Sequence, residues 1–273
     1  MSSATVSLAA LMGGAETDAE PPPLSLEDIA DGVVRGGWPA TRHLDPLDAR
    51  RVHEDDLDRV SRTEIPGATG VARDPVRVLA LLRSIARNTA TRAPLTTLAG
   101  DAGISADAAR GYHDALTRLT VADDVPAWNP HRRSRDELRT APVRMLADPS
   151  LSAAALRATP AGPVRDLRTF GLLFEALVIR DLRVYAQPLG GEVRRYRDKS
   201  GLEVDAVSTW AAFEIKLGTG QVDAAARSLT EFRTRIDLDA RGEPALLGVI
   251  VGGGPGYVRD DGVHVIPVGA LGP

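Results

Sequence analysis

The sequence predicts an α+β protein: a helical N-terminal part with a winged-helix unit, followed by a domain of αβββαβ order. Three observations carry this. Between Val76 and Leu119, apolar residues recur at three- and four-residue spacing in three successive stretches, as in amphipathic helices. Between Glu192 and Leu217, three short segments read as strands parted by turns. After one more helical stretch, Ala245–Val251 is apolar throughout, as a strand covered on both faces is.

The elements follow in order. Residues 1–70 form a leader and a helical segment. The first thirty are rich in Ala, Ser, Gly, Pro and Glu, include Pro21-Pro22-Pro23, and read as a flexible leader. Leu24–Val34 is a short helix with Ser25 as N-cap and Gly36-Gly37 as its stop. Gly37-Trp38-Pro39 is a turn, and Leu44–Arg62 is a charged helix.

Residues 71–128 form the winged-helix-like domain. Val78, Leu79, Leu82, Ile85 and Ala86 make one helical stripe. Leu95, Leu98, Ala99 and Ala102 make a second, ended by Gly103. Ser105 caps a third, with Ala108, Ala109, Tyr112, Leu116 and Leu119 on one face. Val121–Trp128 is the expected wing. The polar residues of the third helix are Asp107, Arg110, His113, Asp114, Thr117 and Arg118. Two acids against two arginines make a poor phosphate surface, so packing or protein contact stands beside DNA reading as the role of this unit.

Residues 129–160 form a linker with a short strand, Val143–Ala147, and the basic run His131–Arg135 reads as a solvated loop. Residues 161–273 hold the second domain. Its helix is Asp166–Tyr185, with Leu167, Phe170, Phe174, Leu177 and Val178 inside. Its strands are Glu192–Arg197, Leu202–Val207 and Trp210–Leu217, the first two joined by the turn Asp198–Gly201. Helix Gln221–Ile236, strand Ala245–Val251 and a hairpin around Asp261-Gly262 complete it.

Composition bounds the chemistry. The chain has 273 residues, 43% hydrophobic and 26% charged, within the range of folded globular domains. Its net charge of −4 excludes a strongly basic nucleic-acid coat. It has no cysteine, so disulfides, thiol nucleophiles and thiolate metal sites are excluded. No apolar run is long enough to span a bilayer, and a cytoplasmic protein with no membrane partner is expected. The five histidines are scattered without ligand spacing, and Trp38, Trp128 and Trp210 read as packing anchors. Of the 33 basic residues only Lys199 and Lys216 are lysine. Such a bias against lysine draws attention to the two that persist.

Lys216 stands in a chemically loaded place. Period-two geometry puts Glu214 and Lys216 on one face of their strand, and a tight hairpin brings Asp205 to that face. Glu175, on the preceding helix, has Gly171, Leu172, Val178 and Ile179 as its helical neighbours, an apolar surround in which a carboxylate needs a partner. Glu175, Asp205 and Glu214 are hard oxygen ligands suited to Mg²⁺ or Mn²⁺. Lys216 can orient or deprotonate a water and stabilise a developing negative charge, whereas arginine does not deprotonate. A buried salt-bridge network that merely fixes the sheet accounts for the same residues equally well.

Asp205, eight residues, and then Glu214-Ile215-Lys216 resemble the core of the PD-(D/E)XK nucleases, a restriction-endonuclease-like fold. The longer match is to one group. Gly171–Glu175, Tyr196–Asp205 and Phe213–Lys216, with Gly36–Pro39 and Val143–Leu151 upstream, are similar to the domain of unknown function found C-terminal to the AAA+ module of bacterial and archaeal ATPases. The resemblance runs from about Ser7 to Gly272. Those proteins usually begin with a P-loop ATPase, and this chain has no Gly-x-x-x-x-Gly-Lys-Ser/Thr. Neither ATPase activity nor a nucleotide is therefore expected from it alone.

Three functional expectations follow. The first is a Mg²⁺- or Mn²⁺-dependent nuclease-like module acting on DNA, with Glu175, Asp205, Glu214 and Lys216 at its centre and Arg194, Arg195, Arg197 and Lys199 tracking phosphates. The second is a non-catalytic module that contacts an ATPase supplied by another chain. The third is a winged-helix DNA-binding regulator.

Overall fold

A computed structural model describes residues 5–15, 17, 23–70, 73–129, 141–159, 161–208, 210–236 and 242–272. In chain order the elements begin with strand β1 (Val6–Ser7) and helices α1 (Leu8–Met12), α2 (Leu26–Arg35), α3 (Pro46–Arg59), α4 (Ile65–Thr69), α5 (Pro75–Arg87), α6 (Leu95–Asp101) and α7 (Ala106–Arg118). Strand β2 (Ala127–Trp128) and helices α8 (Pro149–Ala155), α9 (Ala161–Arg165) and α10 (Leu167–Ala186) follow. The remainder is β3 (Arg194–Arg197), β4 (Glu203–Val207), β5 (Ala211–Lys216), α11 (Val222–Arg235), β6 (Leu246–Val251), β7 (Tyr257–Val258), β8 (His264–Pro267) and β9 (Leu271–Gly272). The chain is α+β, as expected, and no described helix is long and apolar enough to cross a membrane.

These elements divide into two compact units. A helical unit takes Leu26–Asp124 and Val143–Leu177. A sheet unit takes the described residues of Met1–Ser25, Val125–Pro142 and Val178–Pro273. Helix α10 begins in the first and ends in the second.

In the helical unit Ser105 caps its helix as the sequence implies, and two aspartates do the same. Asp45, Asp74 and Ser105 each accept a backbone N–H of the first turn of α3, α5 and α7. Gly103, at φ +64°, supplies the left-handed residue between α6 and α7. The core gathers Leu57, Val60 and Ile65 with Val78, Leu81, Leu82 and Ile85 of α5, Leu98 of α6, and Ala109 and Leu116 of α7. The charged helix runs further than Leu44–Arg62 suggests. A π turn at Val60–Glu64 joins α3 to α4, with helical backbone at both joints. Pro66 has no N–H for the carbonyl four residues back, and the wider turn just before it accommodates that loss.

Two upstream landmarks meet in this unit. Gly36, at φ +74°, ends α2, and a Cβ there would strike Ser150 Oγ and come within 2.8 Å of Asp148 Oδ1. Only glycine meets both conditions. Asp148 is buried. It accepts Ser150 N at 2.8 Å, capping α8, and Gly37 N at 3.1 Å. Val143–Ala147, expected as a strand, forms no regular strand and makes isolated bridging contacts instead, among them the antiparallel bridge of Leu146 with Ala122 and the bonds Asp123 N to Met145 O and Ala147 N to Val121 O. The segment that follows it is a helix, which the expected linker did not contain.

The sheet unit holds a seven-stranded mixed sheet in the order β2-β3-β4-β5-β6-β8-β7. Strands β5, β6 and β8 are parallel to one another, β4 runs antiparallel to β3 and β5, and β7 runs antiparallel to β8. Strand β6 is buried along its whole length, as its apolar run requires. Helix α11 lays Val222, Ala225, Ala226, Leu229 and Phe232 on a core that includes Val204, Val207, Val249, Val251 and Val265. Trp128, Tyr196 and Phe232 form an aromatic cluster with centroids 4.8–5.8 Å apart.

Several expectations are corrected. The wing segment divides: Ala122 bridges to Leu146 in the helical unit, but Ala127–Trp128 is an edge strand of the sheet, parallel to β3. The leader is not wholly irregular. Val6–Ser7 pairs with Leu271–Gly272, Ser7 caps α1, and Leu8 and Leu11 are buried. Leu167, expected inside, is exposed at the first position of its helix, and Trp38 is exposed as well. The run His131–Arg135 lies outside the described residues.

Candidate functional site

The strands converge their charges at one place in the sheet unit. Strand β3 pairs Arg194 with Val207 and Tyr196 with Val204, so two residues of β4, Asp205 and Ala206, face the single residue Arg195. Such a β-bulge breaks strict alternation and re-aims a side chain. On the other side, β4 pairs with β5 only at Ala206–Phe213 and Val207–Ala212. Beyond that point Asp205 Oδ2 accepts the backbone N–H of Ile215 at 2.9 Å, so a side chain takes the place of the ladder.

Lys216 bridges the two carboxylates. Its Nζ lies 2.6 Å from Glu214 Oε2 and 3.0 Å from Asp205 Oδ2. Arg195 reaches Asp205 Oδ1 at 3.2 Å and Glu203 Oε2 at 3.6 Å. The Asp205 and Glu214 side chains are each 6% exposed and that of Lys216 is 26%. The cluster is therefore buried on its acidic side and open to solvent at the lysine.

Electrostatics follow from that placement. Burial, and then the neighbouring charge of Asp205, push the Glu214 carboxyl up to about 8, which Lys216 only partly offsets. For Lys216, burial alone would favour the neutral amine, but the charges of Asp205 and Glu214 outweigh it and hold the ammonium above its usual range. A proton held so firmly is not passed to or from water near neutrality. The geometry thus favours a fixed positive charge over the base that lysine, unlike arginine, could otherwise supply.

Asp205, Glu214 and Lys216 come together as the strand pattern suggests. Glu175 stands on α10, half-buried, in the part that belongs to the helical unit. Among the described residues no three of His, Asp or Glu are grouped to hold a metal ion.

The four basic residues expected to track phosphates are placed differently. Arg194 pairs with Glu192 at 2.8 Å and Arg197 with Glu203 at 2.5 Å. Arg195 is the partner of Asp205. Lys199 alone of the four is exposed without a carboxylate partner among the described residues. The role of Arg195 had a signal in the sequence. The turn Asp198–Gly201 sets Arg197 opposite Glu203, and two residues further along each strand the same hairpin brings Arg195 towards Asp205.

Two polar residues of α7 are engaged within the helical unit. His113 is buried, 3.1 Å from Asp124, and Arg110 pairs with Asp107 at 3.1 Å.

No curated protein and no solved structure matches this chain significantly. Two families do. Residues 170–271 match DUF4143, a domain of unknown function known from AAA-ATPase-associated proteins. Residues 26–162, half of the chain, match DUF8612, also a domain of unknown function, and the chain belongs to that family.

Proposed function

We propose that this DUF8612 family member carries, in its sheet unit, a nuclease-like module that binds a divalent cation and acts on phosphodiesters. The observation that supports it is the carboxylate pair Asp205 and Glu214, buried side by side and bridged by Lys216 at 3.0 and 2.6 Å. A sheet needs no such arrangement for its own stability, because apolar residues would fill the place at lower desolvation cost.

The donor chemistry fits Mg²⁺ or Mn²⁺. Both carboxylates are hard oxygen donors, and the upward shift of Glu214 reports a place where a second negative charge is disfavoured unless a cation offsets it. Asp205 and Glu214 would hold the ion, and the ion would supply Lewis-acid polarisation of a phosphoryl oxygen. The residues of the chain do the rest. Lys216, kept protonated, sets a fixed charge where negative charge develops, and its ammonium is the part of the cluster that solvent and substrate can reach. Arg195 and the Ile215 N–H fix the orientation of Asp205. DNA is the substrate class this reading implies. The helix-turn-helix arrangement of α6 and α7 and the bridge Ala122–Leu146 support a winged-helix character for the helical unit.

A second reading rests on a specific observation. Both oxygens of Asp205 are already met, Oδ1 by Arg195 and Oδ2 by Lys216 and Ile215 N. This favours a non-catalytic module whose ion network pins the sheet and whose surface serves a partner such as an ATPase of another chain. A cleavage assay separates the two. Single- and double-stranded DNA with Mg²⁺ or Mn²⁺ should be cut by the wild type and spared by Asp205→Asn and Lys216→Met. Equal behaviour of all three proteins would leave the second reading standing.

A further inference from the structure

Away from the carboxylate cluster, the helical unit carries an open cleft of about 650 Å³. Its floor is apolar, formed by Leu57 of α3, Leu79 and Leu82 of α5, and Leu156 at the end of α8. At its edge Val76 is 72% exposed, the most exposed of the large apolar side chains described.

The charges around the floor are unequal in what they have left to offer. Of the acids, Glu54 is met by Arg50 at 3.4 Å and Asp58 by Arg62 at 2.7 Å. Asp101 accepts from Ser84 and Asn88 and lies 3.7 Å from Arg87. The guanidinium groups of Arg83 and Arg157 have no carboxylate partner among the described residues. Arg157 also holds φ +53°, the left-handed position after a helix that glycine would occupy at less cost. Its backbone completes the end of α8, with Arg157 N on Ala154 O and Ala158 N on Ala153 O.

We propose that this cleft docks an acidic amphipathic helix of a partner protein. The apolar floor takes the buried face of that helix, and Arg83 and Arg157 take carboxylates on its flank. A macromolecule is favoured over a small amphipathic anion because a small-molecule site encloses most of its ligand, whereas Val76 stands out where only a surface-lying partner would cover it. This inference is independent of the proposed nuclease-like site.

The test is a fluorescence-anisotropy titration of the whole protein. The probe is a labelled helical peptide of about four turns, with leucines at i, i+3, i+4 and i+7 and glutamates on the flanks, set against the same peptide with lysines for glutamates. The acidic probe should bind saturably and more weakly as salt is raised, and the basic one should not bind. The pair Arg83→Glu and Arg157→Glu, or Val76→Asp alone, should weaken the acidic probe by about tenfold or more. Arg157→Gly relieves the left-handed position, so it should lose affinity without a lower melting temperature. Absent binding, equal binding of both probes, or affinity unmoved by the arginine substitutions would overturn the proposal. So would displacement of the probe by laurate, because the cleft would then be a lipid-anion site.

Discussion

Each of the two units buries an aspartate, and their surroundings differ. Asp148 in the helical unit is 5% exposed and Asp205 in the sheet unit 4%. Asp148 accepts the amides of Gly37 and Ser150 and so ties the end of α2 to the start of α8. Asp205 is met by one amide and two full cations, with a second carboxylate placed alongside. The sheet unit commits Arg195, Lys216 and Glu214 to one place instead, at a desolvation cost that joining segments does not demand. That excess of buried charge marks the cluster as a candidate site and Asp148 as architecture.

Substitutions can break or sharpen this contrast. The largest effect is expected at Lys216. Lys216→Met leaves Asp205 and Glu214 facing each other, and urea denaturation at neutral pH should show a loss of about 3–5 kcal/mol. A loss too small to measure would mean that solvent already screens the cluster. Gly36→Ala comes next, because it combines a left-handed backbone with a Cβ against Ser150. A cost of about 1–3 kcal/mol is expected from the backbone alone. Asp148→Ala should cost about 1–2 kcal/mol through the lost cap on α8, with no effect on any metal binding by the sheet unit. The smallest effect belongs to the exposed pair Arg51–Asp48, where Asp48→Ala should change stability by less than about 0.5 kcal/mol.

The contrast also has a pH signature. The Glu214 carboxyl moves from an ordinary 4.5 to about 8 on folding, so between those values the folded state holds more protons than the unfolded one. Stability contributed by this group therefore falls as pH rises from about 4.5 through about 8. Chemical denaturation across that range should show the decline in the wild type and a flatter profile in Glu214→Gln.

Much of this was legible in the sequence where local chemistry decides. The cap Ser105, the stop at Gly103 and the turn Asp198–Gly201 depend on neighbours a few residues away. The shared face of Glu214 and Lys216 follows from strand period alone. What stayed hidden depends on distant pairing. Ala127–Trp128 joins the sheet only through residues 195 and 196, and a two-residue strand carries no period. Val6–Ser7 finds its partner at the far end of the chain. The bulge beyond Arg195 and Asp205 is a register shift, set by how β3 and β4 fit together. Asp148 and Gly36 were noticed as landmarks, but their contact spans more than a hundred residues, beyond the reach of a local pattern.

The central claim is that the Asp205–Glu214 pair receives a divalent cation. Calorimetric titration of Mn²⁺ into the whole protein tests it most directly, with Asp205→Asn and Asp148→Asn as the two comparisons. The account predicts saturable one-site binding in the wild type and in Asp148→Asn, and its loss in Asp205→Asn with the fold retained by circular dichroism. Absence of binding in the wild type, or unchanged binding in Asp205→Asn, would contradict it.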